Sequence, residues 1–380
     1  MDLRAVDAEE NGFGTTISIK YIDKPGLGRI ALLNALLFVA TLTLYRFWAK
    51  TNVRRHIWSC VHINGEPLEY TGRGRELFLG ALIVFGLFFL PVILILAVLR
   101  LSLGPQHPLL VVFNLFLFLI FLLFWGMALY RARRYQLSRT LWRGIRGALV
   151  GSSWTFSLLY FATSLLSFMT MGWSTPAMNL NLQERMTGDM RIGTMPFRFK
   201  GRAGPLYGAY ALCWVISLVT FILLTLLLVW GVYSASGGSL PTFLRDYAKT
   251  DAPPSQTVVI VTLLALFAGF MIVSALLAMI WTFYRAREMA IFASYTTLDR
   301  VRFRLDATGA SLLGLVLGNL LLVIFTLGIA TPFAQQRLVR YLCRRISIHG
   351  TVKIDRIMQS REPLGRTGEG LADAFDVGGI

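Results

Sequence analysis

The sequence predicts an α-helical polytopic membrane protein with internal repeats: two transmembrane hairpins, three broken helices (re-entrant or kinked), and short cytoplasmic β-strands between them. Three observations carry that prediction. Four apolar runs, Leu77–Leu99, Leu109–Tyr130, Leu206–Tyr233 and Val258–Tyr284, each exceed the roughly 20 residues needed to cross about 30 Å of hydrocarbon. Three further apolar segments are interrupted by one recurring cluster of Thr, Gly and Pro. Most membrane segments follow a short alternating stretch that ends at Gly. Composition agrees: 55% of the 380 residues are hydrophobic and the mean hydropathy is +0.61, against about 45–50% apolar in soluble domains.

Taken in order, residues 1–13 are polar and without a cleavable leader pattern, so they are expected to be disordered and insertion to be directed by internal helices. Repeat one, 14–130, reads as a strand, a broken helix over 30–48, a second strand, and the runs at 77–99 and 109–130. Repeat two, 131–284, has a strand, a broken helix over 154–176, a strand, and the runs at 206–233 and 258–284. A partial third repeat, 285–356, holds a strand, a broken helix over 311–332, a basic amphipathic segment and a strand. The Gly-rich polar tail, 357–380, is expected to be disordered. The strands are read from period-2 alternation in "ISIKYIDKPGLGRIALL", "PLEYTGRGRELF", "WRGIRGALVGSSW", "PFRFKGRAGPLY" and "VRFRLDATGASLL".

The repeat is clearest at the breaks. "NALLFVATLTLYRFWAK" from Asn34, "TSLLSFMTMGWSTPAMN" from Thr163 and "NLLLVIFTLGIATPFAQ" from Asn319 align without gaps. A polar residue (Asn34, Thr163, Asn319) is followed seven positions later by Thr41, Thr170 or Thr326. Thr43, Gly172 or Gly328 comes two positions on, then aromatic or Pro punctuation that includes Pro176 and Pro332. "YRARRYQ" from Tyr130 echoes "YRAREMA" from Tyr284, each at the end of a long run.

Charge orients the chain. The Arg-rich connections 46–76, 131–146 and 285–304 are expected to be cytoplasmic by the positive-inside rule, and those at 100–108 and 234–256 external. If the broken segments crossed, Arg337, Arg340, Arg344 and Arg345, and also Arg185, Arg191, Arg198, Lys200 and Arg202, would lie outside. Two readings remain: the segments enter from the cytoplasmic side and return, with their breaks gathered inside the bundle, or they are kinked crossings with a weak charge bias.

The net charge of +17 is explained by Arg at the ends of apolar runs, so no nucleic-acid partner is called for. Cys60, Cys213 and Cys343 are scattered, and the four histidines form no ligand pattern, so no metal or cofactor is expected. No Asp or Glu lies in the middle of an apolar run, against a proton- or sodium-coupled carrier. No catalytic motif is present, and an enzyme is not expected.

"TLGIATPFAQQRLVRY", with "FRFKGRAGPLY", "HINGEPLEYTGRGRELFLG" and "WRGIRGALVGS", resembles the bacterial YjgN-type inner-membrane family, a domain of unknown function, from about Ile17 to Arg356. The chain departs from the family pattern at Thr43, where Gly is usual, and after Pro176, where Arg is scarce. The resemblance implies a multi-pass protein of the bacterial cytoplasmic membrane and brings no reaction.

Asn34, Thr163 and Asn319 line a polar pathway or pack the repeats together. Thr41, Thr43, Thr170, Gly172, Pro176, Thr326, Gly328 and Pro332 make the breaks, where Thr hydroxyls can satisfy freed carbonyls. Arg54, Arg55, Arg73, Arg202, Arg344 and Arg345 are the expected contacts to anionic lipid headgroups on the cytoplasmic side. The function expected is a transporter, channel or lipid-handling protein; the alternative is a non-transporting scaffold or assembly factor with a basic cytoplasmic platform.

Overall fold

The computed structural model describes residues 15–104, 106–235, 256–352 and 358–359. The expected disordered start, most of the 234–256 connection and nearly all of the tail lie outside the described residues. The chain divides into two compact units: Met1–Ala203 with Ala290–Asp306 and Leu315–Ile380, and Gly204–Met289 with Ala307–Gly314.

The first unit holds every described strand: β1 (Thr15–Thr16), β2 (Ile19–Tyr21), β3 (Val61–Ile63), β4 (Glu66–Tyr70), β5 (Thr140–Trp142), β6 (Ile145–Leu149), β7 (Met190–Ile192), β8 (Met195–Phe199), β9 (Thr296–Leu298), β10 (Val301–Leu305), β11 (Ile346–His349) and β12 (Thr351–Val352). From β2 to β11 each strand pairs antiparallel with the next in chain order, giving one ten-stranded sheet. β1 pairs with β12, which joins the sheet's two edges into a near-closed barrel. Closure removes the exposed edges that would otherwise recruit other strands.

Alternation sets the barrel's two faces. Leu298 and Val301 are buried against Ile17, Ile192, Met195, Phe197, Phe303 and Ile348, so residues from both ends of the sheet share one apolar interior. The alternate residues Arg191, Arg198, Arg302 and Arg304 are exposed. The expected strand stretches correspond to β2, β4, β6, β8 and β10. Their partners β3, β5, β7 and β9 are three residues each and follow a helix end directly, too short for alternation to register. Asn64-Gly65 (φ 51° and 85°) and Arg143-Gly144 (φ 51° and 76°) have the paired positive φ of a type I′ hairpin turn.

Helical pairs connect ring neighbours. α1 (Leu27–Ala40) and α2 (Arg46–Cys60) lie between β2 and β3. α3 (Gly74–Val84), a π-helical turn (Phe85–Phe89), α4 (Leu90–Leu103) and α5 (Pro108–Ser138) lie between β4 and β5. α6 (Ser153–Met169) and α7 (Thr175–Gly188) lie between β6 and β7, α8 (Gly204–Ala235) and α9 (Gln256–Tyr295) between β8 and β9, and α10 (Gly309–Phe325) and α11 (Thr331–Arg345) between β10 and β11. Four helices, Gly74–Leu103, Pro108–Ser138, Gly204–Leu227 and Gly269–Tyr295, are long and apolar enough to cross a membrane. The limbs α1 (14 residues), α6 and α10 (17 each) are about 21–26 Å long, short of the ~30 Å core.

The three breaks share one backbone geometry. Leu42, Met171 and Leu327 have φ of 48°, 50° and 49°, and the next residues, Thr43, Gly172 and Gly328, have φ of 75°, 86° and 87°. The amide of Thr43, Gly172 or Gly328 bonds back five residues, to Phe38, Ser167 or Val323, closing each first limb in a Schellman-like turn. The Thr before the turn serves both limbs. Thr41, Thr170 and Thr326 donate from Oγ1 to the carbonyls of Leu37, Leu166 and Leu322. The same oxygens accept the amides of Tyr45, Ser174 and Ala330. Contrary to the expectation of a shared interior, the breaks are outward tips: Leu42, Met171 and Leu327 are 85%, 81% and 93% exposed. The expected broken helices also extend further than 30–48, 154–176 and 311–332, because each second limb continues as a full helix to the next strand.

Thr43 holds a left-handed angle that costs a branched residue about 1–2 kcal/mol. Thr43→Gly is therefore expected to stabilise the protein by about 1 kcal/mol, and Gly328→Thr to destabilise it similarly, read as opposite shifts in the melting midpoint of detergent-solubilised protein.

In the second unit, Tyr210, Trp281 and Tyr284 pack with ring centroids 5.1–5.8 Å apart. A Cβ on Gly309 would lie 2.3 Å from the Phe283 ring, so any side chain at this helix start requires that ring to move.

Part of the expected disordered tail is tied down. Gln359 donates Nε2 to the Gly144 carbonyl (2.7 Å) and accepts the Arg146 amide (3.1 Å), while the Thr194 amide donates to the Met358 carbonyl (3.1 Å). These bonds hold the β5–β6 and β7–β8 turns together.

Candidate functional site

Each break builds a helical hairpin. Asn34 donates from Nδ2 to the Ala49 carbonyl (3.4 Å) and Asn319 to the Ala334 carbonyl (3.2 Å). Donor and acceptor are fifteen residues apart in both cases, so the two limbs lie side by side and the chain turns back. Thr163 bonds within its own helix, Oγ1 to the Tyr160 carbonyl (2.9 Å). The three predicted polar residues thus each act inside one hairpin, and none bonds another. Pro176 and Pro332 stand in the first turn of the second limb, where a missing amide hydrogen costs nothing.

The six predicted arginines separate by environment. Arg54 is 6% exposed and lies over the Tyr70 ring at 6.0 Å, enclosed by protein. Arg55 donates to the Gly72 carbonyl (3.3 Å), and Arg345 to the Asp306 carbonyl (3.0 Å). Arg73, Arg202 and Arg344 are exposed.

Carboxylates near the helix bases are each held by a phenol and a guanidinium. Tyr135 donates to Glu76 (2.8 Å), which Arg139 pairs at 2.9 Å. Tyr130 donates to Asp189 (2.8 Å), with Arg185 at 3.4 Å. In the second unit Tyr284 donates to the buried Glu288 (3.0 Å), which Arg285 pairs at 2.6 Å. The echo of "YRARRYQ" and "YRAREMA" contains Tyr130, Tyr135, Tyr284 and Glu288, but no local pattern names the carboxylates reached from 59 residues away.

A second constellation lies where the first and third hairpins meet. Asp23 accepts from Gln336 (3.2 Å) and is ion-paired with Arg340, whose guanidinium lies 5.4 Å from the Tyr21 ring centroid. Burial pushes the Tyr21 phenol well above its ordinary value. His56, on α2, is held below its ordinary pKa of 6.5 first by burial and then by the charge of Lys24. More than 300 residues separate Asp23 from Arg340, so only tertiary closure makes this site.

The His56 shift has a defined sign. The unfolded chain takes up a proton near pH 6.5 while the folded chain resists it, so the stability held above pH 6.5 is lost as the pH falls below that value. The melting midpoint should fall between pH 7 and about 5, and fall less in His56→Gln; equal slopes in the two proteins would remove His56 as the cause.

Comparison with known proteins places the chain. Residues 25–374 match the model of a family described as bacterial protein of unknown function, DUF898. A 66-residue stretch is 36% identical to inner membrane protein YjgN of Salmonella typhimurium (strain LT2), covering 17% of this chain and 17% of that protein. No solved structure matches. With the family match running over almost its whole length, the chain belongs to the DUF898 family of bacterial proteins of unknown function.

Proposed function

We propose that this is a multi-pass protein of the bacterial inner membrane that handles lipid from the cytoplasmic face. In this reading two helical hairpins cross the bilayer and three shorter ones dip into the near leaflet. The exposure of Leu42, Met171 and Leu327 carries it: large apolar side chains at 81–93% exposure need acyl chains around them. Both ends of each dipping hairpin attach to neighbouring strands of one ring, which speaks for entry and return on one side. The common geometry of the three breaks supports an internal repeat, and the Arg-rich connections near the ring suit the cytoplasmic side. The name of the Salmonella relative supports the inner-membrane location. Asn34 and Asn319 are spent on limb-to-limb bonds, which favours lipid over a polar solute pathway. Anionic headgroups are the partners that exposed Arg73, Arg202 and Arg344 would meet.

The test is reconstitution into vesicles carrying fluorescent phospholipid in one leaflet. Lipid redistribution above that of protein-free vesicles is expected. Unchanged redistribution across several lipid compositions would leave the scaffold reading, which the exposed Arg191, Arg198, Arg302 and Arg304 on the barrel favour.

A further inference from the structure

We propose that the third hairpin carries a phospholipid-phosphate site centred on Arg337; its location rests on the leaflet-dipping reading. Arg337 lies on α11, and its guanidinium is laid on α10 where Gly318 has no side chain. A Cβ on Gly318 would stand 2.8 Å from Nη2 and 3.2 Å from Nη1. Gly318 is seven residues before the end of α10, so the guanidinium sits about 10 Å below the Leu327 tip.

No described side chain answers that charge. Asp23, reached from the same helix, is taken by Arg340 and Gln336. Among the described residues Arg337 makes no hydrogen bond or ion pair. A cation on an apolar limb, beside a tip more than nine-tenths exposed, is costly unless an anion meets it. At that depth the anion available in a membrane is a lipid phosphate, which guanidinium binds in fork geometry.

The other two hairpins lack the device. Aligned on Asn34 and Thr163, they have Leu33 and Ala162 in place of Gly318, and Asn52 and Asn181 in place of Arg337. Seat and charge occur together in the third hairpin alone. Gly318 is therefore a positioning residue for the guanidinium, and Arg337 the ligand-contacting one.

The experiment uses the full chain, extracted mildly from vesicles of phosphatidylglycerol or phosphatidylcholine, with bound lipid counted by native mass spectrometry. Arg337→Gln should lower retained lipid about five-fold, the equivalent of roughly 1 kcal/mol per basic contact, and Arg337→Lys should restore part of it. Gly318→Leu displaces only the flexible end of Arg337, so it should reproduce the loss with the melting midpoint preserved, which guards against a misfolded Arg337→Gln. Equal retention in wild type, Arg337→Gln and Gly318→Leu would overturn the site. Protection against heat by millimolar inorganic phosphate, lost in Arg337→Gln and without lipid retention, would overturn the lipid source. Retention needs no lipid movement, so a wild type that holds lipid but moves none sinks the proposed function and leaves this site standing.

Discussion

Replacing Leu42, Met171 and Leu327 together by Asp should lift all three tips out of the bilayer while the spanning hairpins stay inserted. Each is at the apex of a turned-back helix and faces outward. Asp costs about 2.5–3.5 kcal/mol at the centre of a spanning helix, and somewhat less at a shallower apex, so three changes amount to several kcal/mol. The substitutions suit the backbone, since Asp tolerates the left-handed region better than Leu or Met does. A nitroxide on Ile329→Cys reads the result. In the otherwise native tips, oxygen dissolved in the bilayer should relax the label more than a water-soluble nickel reagent does; in the triple variant the order should reverse. A label already open to the nickel reagent before the substitutions would mean that the tips never enter the membrane.

Removing Glu76 should give the largest loss of stability from one residue. Its carboxylate accepts the Tyr135 phenol at 2.8 Å and pairs with Arg139 at 2.9 Å, with both charged side chains mostly enclosed. Tyr135, Leu77 and Phe47 around it are buried. Taking away one partner of an enclosed pair typically costs about 3–5 kcal/mol, because the other charge is left without compensation; partial exposure of Glu76 places the expected cost of Glu76→Ala near ~3 kcal/mol. Glu76→Gln keeps an acceptor for the phenol and should cost less. Tyr135→Phe removes one hydrogen bond and should cost about 1 kcal/mol. The ranking, measured as melting midpoints in one detergent, is the prediction; Glu76→Ala no worse than Tyr135→Phe would show the ion pair to be worth nothing.

The breaks were legible because they are local. Thr41, Thr170 and Thr326 each satisfy a carbonyl four residues back and an amide four residues on, so sequence spacing alone encodes their role. The barrel was half legible. Five-residue strands such as Met195–Phe199 alternate visibly, whereas Met190–Ile192 is too short to do so, and its place is fixed by pairing with Gly147–Leu149. Asp23 with Arg340, and Glu76 with Tyr135, were not legible, because no periodicity links residues so far apart.

The sequence by itself determined four helices long enough to span a bilayer, three interruptions with a common chemistry, and the family to which the chain belongs. These rest on local spacing, hydropathy and motif order. Only the tertiary structure decided that the strands close into one barrel, that the interruptions are exposed tips rather than a shared interior, and that Arg337 lies against Gly318. Those outcomes depend on pairings and packing between residues distant in the chain, where the free energy of closure, not the local pattern, selects the partner.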